Sequence, residues 1–273
     1  RRVYLIEESM AAAIGADLPV TEPVGSMIVD VGGGTTEVAI VSLEGIVYSK
    51  SIRAGGNKFD ESIISYLRRN ENLIIGEVTA ENVKKMIGSG IIPKHSEGKK
   101  ITIKGRDAID GIPKEKEVSE RQIAESLAEP LFDIVETIKE GLEMAPPELS
   151  GDIIEHGITL TGGGSLLRNT DIVVQNATGI EVRYANDPLF SVVLGTGKVL
   201  ENLKDMQRFP KYFEIETTNK CNAKCPMCAI DNFSKREFSD DLWTNILRQM
   251  SEHTNFIEKG LLSYLFNIYC WTG

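Results

Sequence analysis

The sequence predicts an α/β fold: one lobe with a small inserted α+β subdomain, then a short βα segment carrying cysteines. Three observations lead there. The first is the stretch Ile28-Val29-Asp30-Val31-Gly32-Gly33-Gly34-Thr35-Thr36-Glu37-Val38-Ala39-Ile40-Val41, two apolar runs joined by a glycine-rich turn, the pattern of a β-hairpin. The second is a strand at Ile158-Thr159-Leu160-Thr161 followed by Gly162-Gly163-Gly164-Ser165 and a helix from Leu166. The third is a set of amphipathic helices with apolar residues at helical spacing.

In chain order, Arg2 to Ile6 predicts a short strand and Glu8 to Ile14 an Ala-rich helix closed by Gly15 and Pro19. After the hairpin, Ile46 to Ile52 predicts a third strand, completing an antiparallel meander. Gly55-Gly56 opens a helix with Phe59, Ile63 and Leu67 on one face. Thr79 is placed as N-cap of the next helix, which carries Glu81, Val83, Lys84 and Ile87. Residues 88–118 read as loop-rich and strand-poor, broken by Gly105 and Gly111-Ile112-Pro113. Ser119 with Gln122 forms a capping box. It starts a long helix whose Ile123, Leu127, Leu131, Ile134, Ile138 and Leu142 face the core, with a kink expected at Pro130 and an end at Pro146-Pro147. Ile180 to Tyr184 predicts a strand, and Asn186-Asp187-Pro188 a turn into a helix to about Leu203.

Composition narrows the function classes. A 41% hydrophobic and 26% charged chain of 273 residues is long enough for two globular domains. A net charge of -10 argues against non-specific nucleic-acid binding and against polybasic attachment to anionic lipid. Glu7 and Glu8 interrupt what would be the apolar core of a signal peptide, and no apolar run reaches membrane-spanning length. The chain opens on Arg1-Arg2 without an initiator Met, as expected of a segment from a longer chain.

The glycine turns carry the chemistry. Successive glycines Gly32, Gly33 and Gly34 allow backbone amides to converge on a phosphate chain. Asp30 at the strand end suits Mg²⁺ held through water, and the Thr35 and Thr36 hydroxyls suit phosphate oxygens or an attacking water. A tight hairpin whose glycines serve only the turn is the plainer alternative. A second glycine-rich turn ahead of a helix, at Gly162 to Ser165, tips the balance toward a nucleotide.

Five ordered segments then carry a resemblance: Leu5-Ile6-Glu7-Glu8-Ser9-Met10-Ala11-Ala12-Ala13-Ile14-Gly15, the Asp30-to-Glu37 loop, Gly55-Gly56-Asn57-Lys58-Phe59-Asp60-Glu61, Pro146-Pro147-Glu148-Leu149, and Leu160-Thr161-Gly162-Gly163-Gly164-Ser165-Leu166-Leu167-Arg168-Asn169. In these, residues 1 to about 205 resemble the C-terminal half of the MreB family of bacterial actin homologues. The resemblance implies an actin-like (ribonuclease H-like) ATPase lobe over residues 1–207, with its inserted subdomain at about 56–118. It implies ATP and Mg²⁺ as cofactors. Asp30, Gly32, Gly33, Gly34 and Thr35 would form the second phosphate loop, Gly162, Gly163, Gly164 and Ser165 the adenosine motif, and Glu81, Asn82 and Lys84 the wall beside ribose and base. Glu8 would position the attacking water, assisted by Thr35. It further implies a cytoplasmic protein that self-associates into filaments and meets cell-shape machinery such as RodZ. Ser9 stands where the family usually has Pro, and Asn82 where it has Arg. The family's first phosphate loop and its membrane-attachment elements have no counterpart in this sequence, so weak ATPase activity, or none, is expected of it.

After Gln207 the character changes. Phe213 to Thr218 predicts a strand, Cys221, Cys225 and Cys228 follow in Cys-x₃-Cys-x₂-Cys spacing, and a helix is expected from Ser239. Three soft thiolates suit iron–sulfur chemistry, and a zinc knuckle completed by His253 or Cys270 is the alternative. Residues 208–259 resemble the cluster loop of radical S-adenosylmethionine enzymes, which implies a [4Fe–4S] cluster on those cysteines and S-adenosylmethionine as its ligand. The resemblance covers one βα unit, and the apolar tail 260–273 does not continue it, which suggests a shifted reading frame or an unnatural junction. A composite with neither activity is the third possibility.

Overall fold

The computed structural model describes residues 5–202. Helix α1 (Glu8–Gly15) comes first. Residues 5 and 6, the end of the stretch expected as a strand, are irregular, and the rest of that stretch lies outside the described residues. Strands β1 (Ser26–Val31), β2 (Thr36–Ser42) and β3 (Gly45–Ile52) form the expected meander. Helices α2 (Gly56–Asn70) and α3 (Glu77–Ile87) flank the short β4 (Leu73–Ile74). Then come β5 (Lys100–Asp107), β6 (Pro113–Ser119), α4 (Glu120–Met144), α5 (Pro147–His156), β7 (Ile158–Thr161), a 3₁₀ turn (Gly163–Leu166), α6 (Thr170–Thr178), β8 (Val182–Tyr184) and α7 (Ser191–Asn202).

The main sheet has five strands in the order β3-β2-β1-β7-β8. The β1, β2 and β3 pairings are antiparallel, whereas β7 runs parallel to β1 and β8 parallel to β7. Central β1 is buried along its whole length, which accounts for its near-continuous apolar run. Met27, Val29, Val38 and Ile40 share one core with Ile134 and Ile138 of α4. Ile28, Ala39 and Val41 face the other way, onto Ala12 and Ala13 of α1. Helix α7 crosses α1 backbone to backbone: a Cβ on Gly15 would lie 1.7 Å from the Ser191 carbonyl oxygen, and one on Gly195 would lie 1.8 Å from that of Ala11.

A second sheet, β4-β5-β6, occupies part of the stretch expected to be strand-poor. The reason is its composition. Lys114-Glu115-Lys116-Glu117 has low strand propensity, yet these charges pair across the sheet: Lys100 with Glu117 at 3.0 Å, Lys104 with Glu115 at 3.2 Å, and Lys116 with Glu71 at 2.7 Å. Gly105 lies inside β5 instead of ending it. A Cβ there would meet the Ile74 carbonyl oxygen at 2.6 Å, so the glycine admits β4.

Three boundaries differ from expectation. The N-cap of α3 is Gly76, so Thr79 sits inside the first turn. Pro146-Pro147 both ends α4 and starts α5, because Pro at the first helical position loses no intrahelical bond. Residues after Gly162 form a 3₁₀ turn, and α6 begins at Thr170, four residues beyond Leu166. The Ser119 capping box has both of its hydrogen bonds, and α4 continues through Pro130.

Candidate functional site

Both glycine-rich turns leave the sheet at the same edge. Asp30 of β1 is in register with Thr161 of β7, and the two strands are parallel, so Gly32 and Gly162 emerge side by side. The carboxyl ends of parallel strands are where α/β folds open a ligand crevice. The contact between the turns is close. Gly162 has φ +82°, and a Cβ on it would lie 2.3 Å from both Asp30 Oδ1 and the Val31 carbonyl oxygen. A Cβ on Gly164 would lie 2.9 Å from that same oxygen and 3.0 Å from the Gly32 carbonyl oxygen. Only glycine backbone fits there.

The first turn is closed by the Gly32 amide donating to the Thr35 carbonyl at 2.9 Å, and Gly33, Gly34 and Thr35 are exposed at its tip. The start of α2 is fixed against it. The Gly56 and Asn57 amides donate to the Gly32 and Gly33 carbonyls at 3.0 and 2.8 Å. Thr36 faces inward, its hydroxyl donating to the Ala54 carbonyl at 2.6 Å, so it braces the loop.

Charge gathers behind the turn. Burial, then the negative charges of Glu8 and Glu37, push the Asp30 carboxyl up to about 6. Glu8 is exposed at the first turn of α1. Glu37 lies opposite Asp30 in the hairpin and accepts a hydrogen bond from buried Ser9 at 2.7 Å. Ser9 and Glu37 were not among the site residues expected from the sequence. The signal was there: a four-residue turn from Gly32 to Thr35 pairs Val31 with Thr36 and therefore Asp30 with Glu37. Among the described residues no group of three or more His, Cys, Asp or Glu is spaced to hold a metal unaided. Mg²⁺ keeps most of its waters and needs only one or two protein carboxylates. Asp30, crowded by like charge, fits that role.

Of the α3 residues, Lys84 reaches the loop. Its ammonium donates to the Gly56 carbonyl and to Asp60, both at 2.9 Å, with the Lys84 and Asp60 side chains each 14% exposed. Burial raises the Asp60 carboxyl, and Lys84 opposes that rise. Glu81 is half-exposed and pairs with Lys85 at 2.6 Å, which holds its carboxyl below the usual range. Asn82 is exposed and makes no hydrogen bond among the described residues. Ser165 is fully buried, and its hydroxyl donates to the Gly162 carbonyl at 2.7 Å, so it shapes the second turn from within. Arg168, beyond that turn, caps the end of α3 by donating to the Ile87 and Gly88 carbonyls at 3.0 and 2.9 Å. Cys221, Cys225 and Cys228 lie outside the described residues.

This arrangement presents the backbone amides of an exposed glycine turn, with the Asp30 carboxylate behind it and the Lys84–Asp60 pair at the start of α2. It suits a polyphosphate with a hydrated cation.

Relatives fit that geometry. MreB of Escherichia coli strain K12, a cell shape-determining protein, is 53% identical over 201 residues, covering 74% of this chain and 57% of its own length. The crystal structure of MreB5 of Spiroplasma citri bound to AMPPNP superposes with a TM-score of 0.71 at 40% identity, over 75% of this chain and 61% of that one. MreB5 is also known bound to ADP. MamK, solved as a double helical filament, shares the fold with a TM-score of 0.58 at 24% identity, over 71% of this chain and 58% of its own. The chain thus spans about 57% of the length of the curated relative it matches. The profile of the MreB/Mbl protein family matches residues 1–208, more than half of the chain, and with the actin-like sheet and its paired glycine turns it follows that the chain belongs to the MreB/Mbl family.

Proposed function

We propose that this chain supplies the nucleotide-binding lobe of an MreB-type, cell-shape-determining cytoskeletal protein. The observation that carries the reading is the direct contact of the two glycine-rich turns at one sheet edge, with Asp30 between them. The Gly33, Gly34 and Thr35 amides face the phosphates of ATP, and Gly162 to Gly164 line the adenosine side. Asp30 holds Mg²⁺ through water. The cation, when bound, neutralises phosphate charge. Lys84, steered by Asp60, lies between phosphate and ribose with Glu81 and Asn82 beyond it, and Ser165 keeps the second turn in shape. Glu8 orients the attacking water and Thr35 assists. Filament formation, supported by the family relationship, belongs to the same reading, as do a cytoplasmic setting and docking to a partner such as RodZ.

The test is calorimetric titration of the whole chain with Mg-AMPPNP. These contacts come from one side of the phosphate chain, so we expect a weak Kd, on the order of 0.1–1 mM, lost in Asp30→Ala. Where hydrolysis of Mg-ATP is measurable, Glu8→Ala slows it more than it weakens binding, because its role belongs to the transition state. Absence of binding at 10 mM AMPPNP, or binding indifferent to Asp30→Ala, contradicts the reading.

A further inference from the structure

At the opposite end of the main sheet lies a recess of about 250 Å³ that the nucleotide reading does not use. Its floor is set by strand register. Ile28, Thr159 and Arg183 are aligned across β1, β7 and β8, and Ser26 precedes Ile28 by two residues on the same face. Three adjacent strands therefore place Ser26, Thr159 and Arg183 on one surface. Asp17 and Asn186 border the recess, and His156 stands at its rim.

The polar groups here are notable for lacking partners. Ser26 is 3% exposed, and its hydroxyl has no hydrogen-bond partner among the described residues. A buried hydroxyl in that state costs about 1–3 kcal/mol in general. Arg183 has neither an acidic partner nor a hydrogen bond among the described residues. One terminal nitrogen of its guanidinium is 3.3 Å from where a Cβ on Gly157 would stand, so the glycine leaves room for it beside the recess. The acid at the border, Asp17, is already neutralised by Lys198 at 2.6 Å. What remains is an exposed arginine without an acidic partner among the described residues and a buried, unpaired hydroxyl, both from residues that line one small cavity.

We propose that this recess binds a small oxyanion, a carboxylate or phosphate compound. Arg183 supplies a planar pair of donors to two oxygens, and Ser26 donates to one of them. The volume admits a metabolite-sized anion and excludes a nucleotide. The site is independent of the proposed nucleotide site, from which the length of β1 separates it.

The test is the thermal unfolding midpoint of the whole chain, titrated with sodium phosphate or sodium succinate against sodium chloride at matched ionic strength. A ligand that binds the native state raises the midpoint in a concentration-dependent way. The expected result is a saturable rise with at least one of the two anions, and the anion giving the lower half-saturation identifies the ligand class. Arg183→Ala should weaken the response about tenfold or more, the loss of a charge-assisted hydrogen bond, and Arg183→Lys should restore part of it. Ser26→Ala, an almost isosteric change, should raise the midpoint without ligand and reduce the response. Asp30→Ala should leave the response intact, which separates this site from the phosphate loop. A rise no larger than that of chloride, or one that persists unchanged in Arg183→Ala, overturns the proposal.

Discussion

Asp30 ends the central strand with Glu8 and Glu37 within Coulombic range, and it accepts no hydrogen bond among the described residues. Its carboxyl titrates near 3.8 in the ordinary state and near 6 in the fold, so the native state holds the proton more tightly. Stability is therefore lost as pH rises from about 4 through about 6, and the full cost is present above that. Asp30→Asn removes the charge. We expect it to stabilise the protein at pH 7.5 by about 1–2 kcal/mol, less than the shift implies because the site is partly wet, and to be neutral at pH 4. Urea midpoints at the two pH values check this, and a destabilised Asn variant at pH 7.5 would count against the charge crowding. At this scale the sequence was informative where one residue type has one use. Glycines Gly33 and Gly162 and the strand-end Asp30 could be picked out directly. Ser9 could not, because a serine in an Ala-rich helix says nothing until Glu37 is brought over it.

At the scale of elements, legibility followed how local the signal was. The Ser119 capping box is written in four consecutive residues and is present with both bonds. Ser119 is buried and also donates to Glu97 at 2.8 Å, tying the approach to β5 onto the start of α4. Ser119→Ala should cost about 1–2 kcal/mol, and hydrogen exchange should show the loss first in the opening turn of α4. Unchanged unfolding in urea would contradict the cap's importance. Strands β5 and β6 were missed because their pairs are not local: Lys104 meets Glu115 and Lys100 meets Glu117 only once the two strands are in register, and Lys116 meets Glu71 from far along the chain. Asp107 is similar. Lys114, then the Ile109 and Asp110 amides, hold its carboxyl at about 2, and together they close the turn between β5 and β6. The second helix boundary after Pro146 was missed for the opposite reason. A double proline reads as a stop, and only the start of α5 reveals that it is also a beginning.

At the scale of the whole molecule, the actin-like fold and its two glycine-rich turns were legible from motif order and family resemblance together, whereas the strand order and the contact between the turns emerge only from the parallel pairing of β1 with β7. The recess at the far end of the sheet was not, since Ser26, Thr159 and Arg183 are more than 20 residues apart at each step and meet only through register. The cysteine-bearing part of the chain lies outside the described residues, so the proposal there rests on the spacing and the resemblance: Cys221, Cys225 and Cys228 would hold a [4Fe–4S] cluster with S-adenosylmethionine as its ligand. Anaerobic reconstitution of the whole chain with iron and sulfide should give a brown chromophore that Cys225→Ala abolishes and Cys270→Ala leaves intact. One equivalent of zinc that survives purification and requires Cys270 or His253 would favour the knuckle instead.

The crossing of α1 and α7 at Gly15 and Gly195 has a bearing on how firmly α1 is held. Two helices in backbone contact behave like a dovetail joint: neither can slide along the other without a collision of carbonyls, and neither can be lifted by even one methyl group. Helix α1 is only 8 residues long, and Glu8 stands at its N-terminal end. The seat of α1 is thus set from behind, by two glycines. A side chain larger than hydrogen at either glycine would force the two helices apart, and with α1 the residues it carries, Glu8 among them.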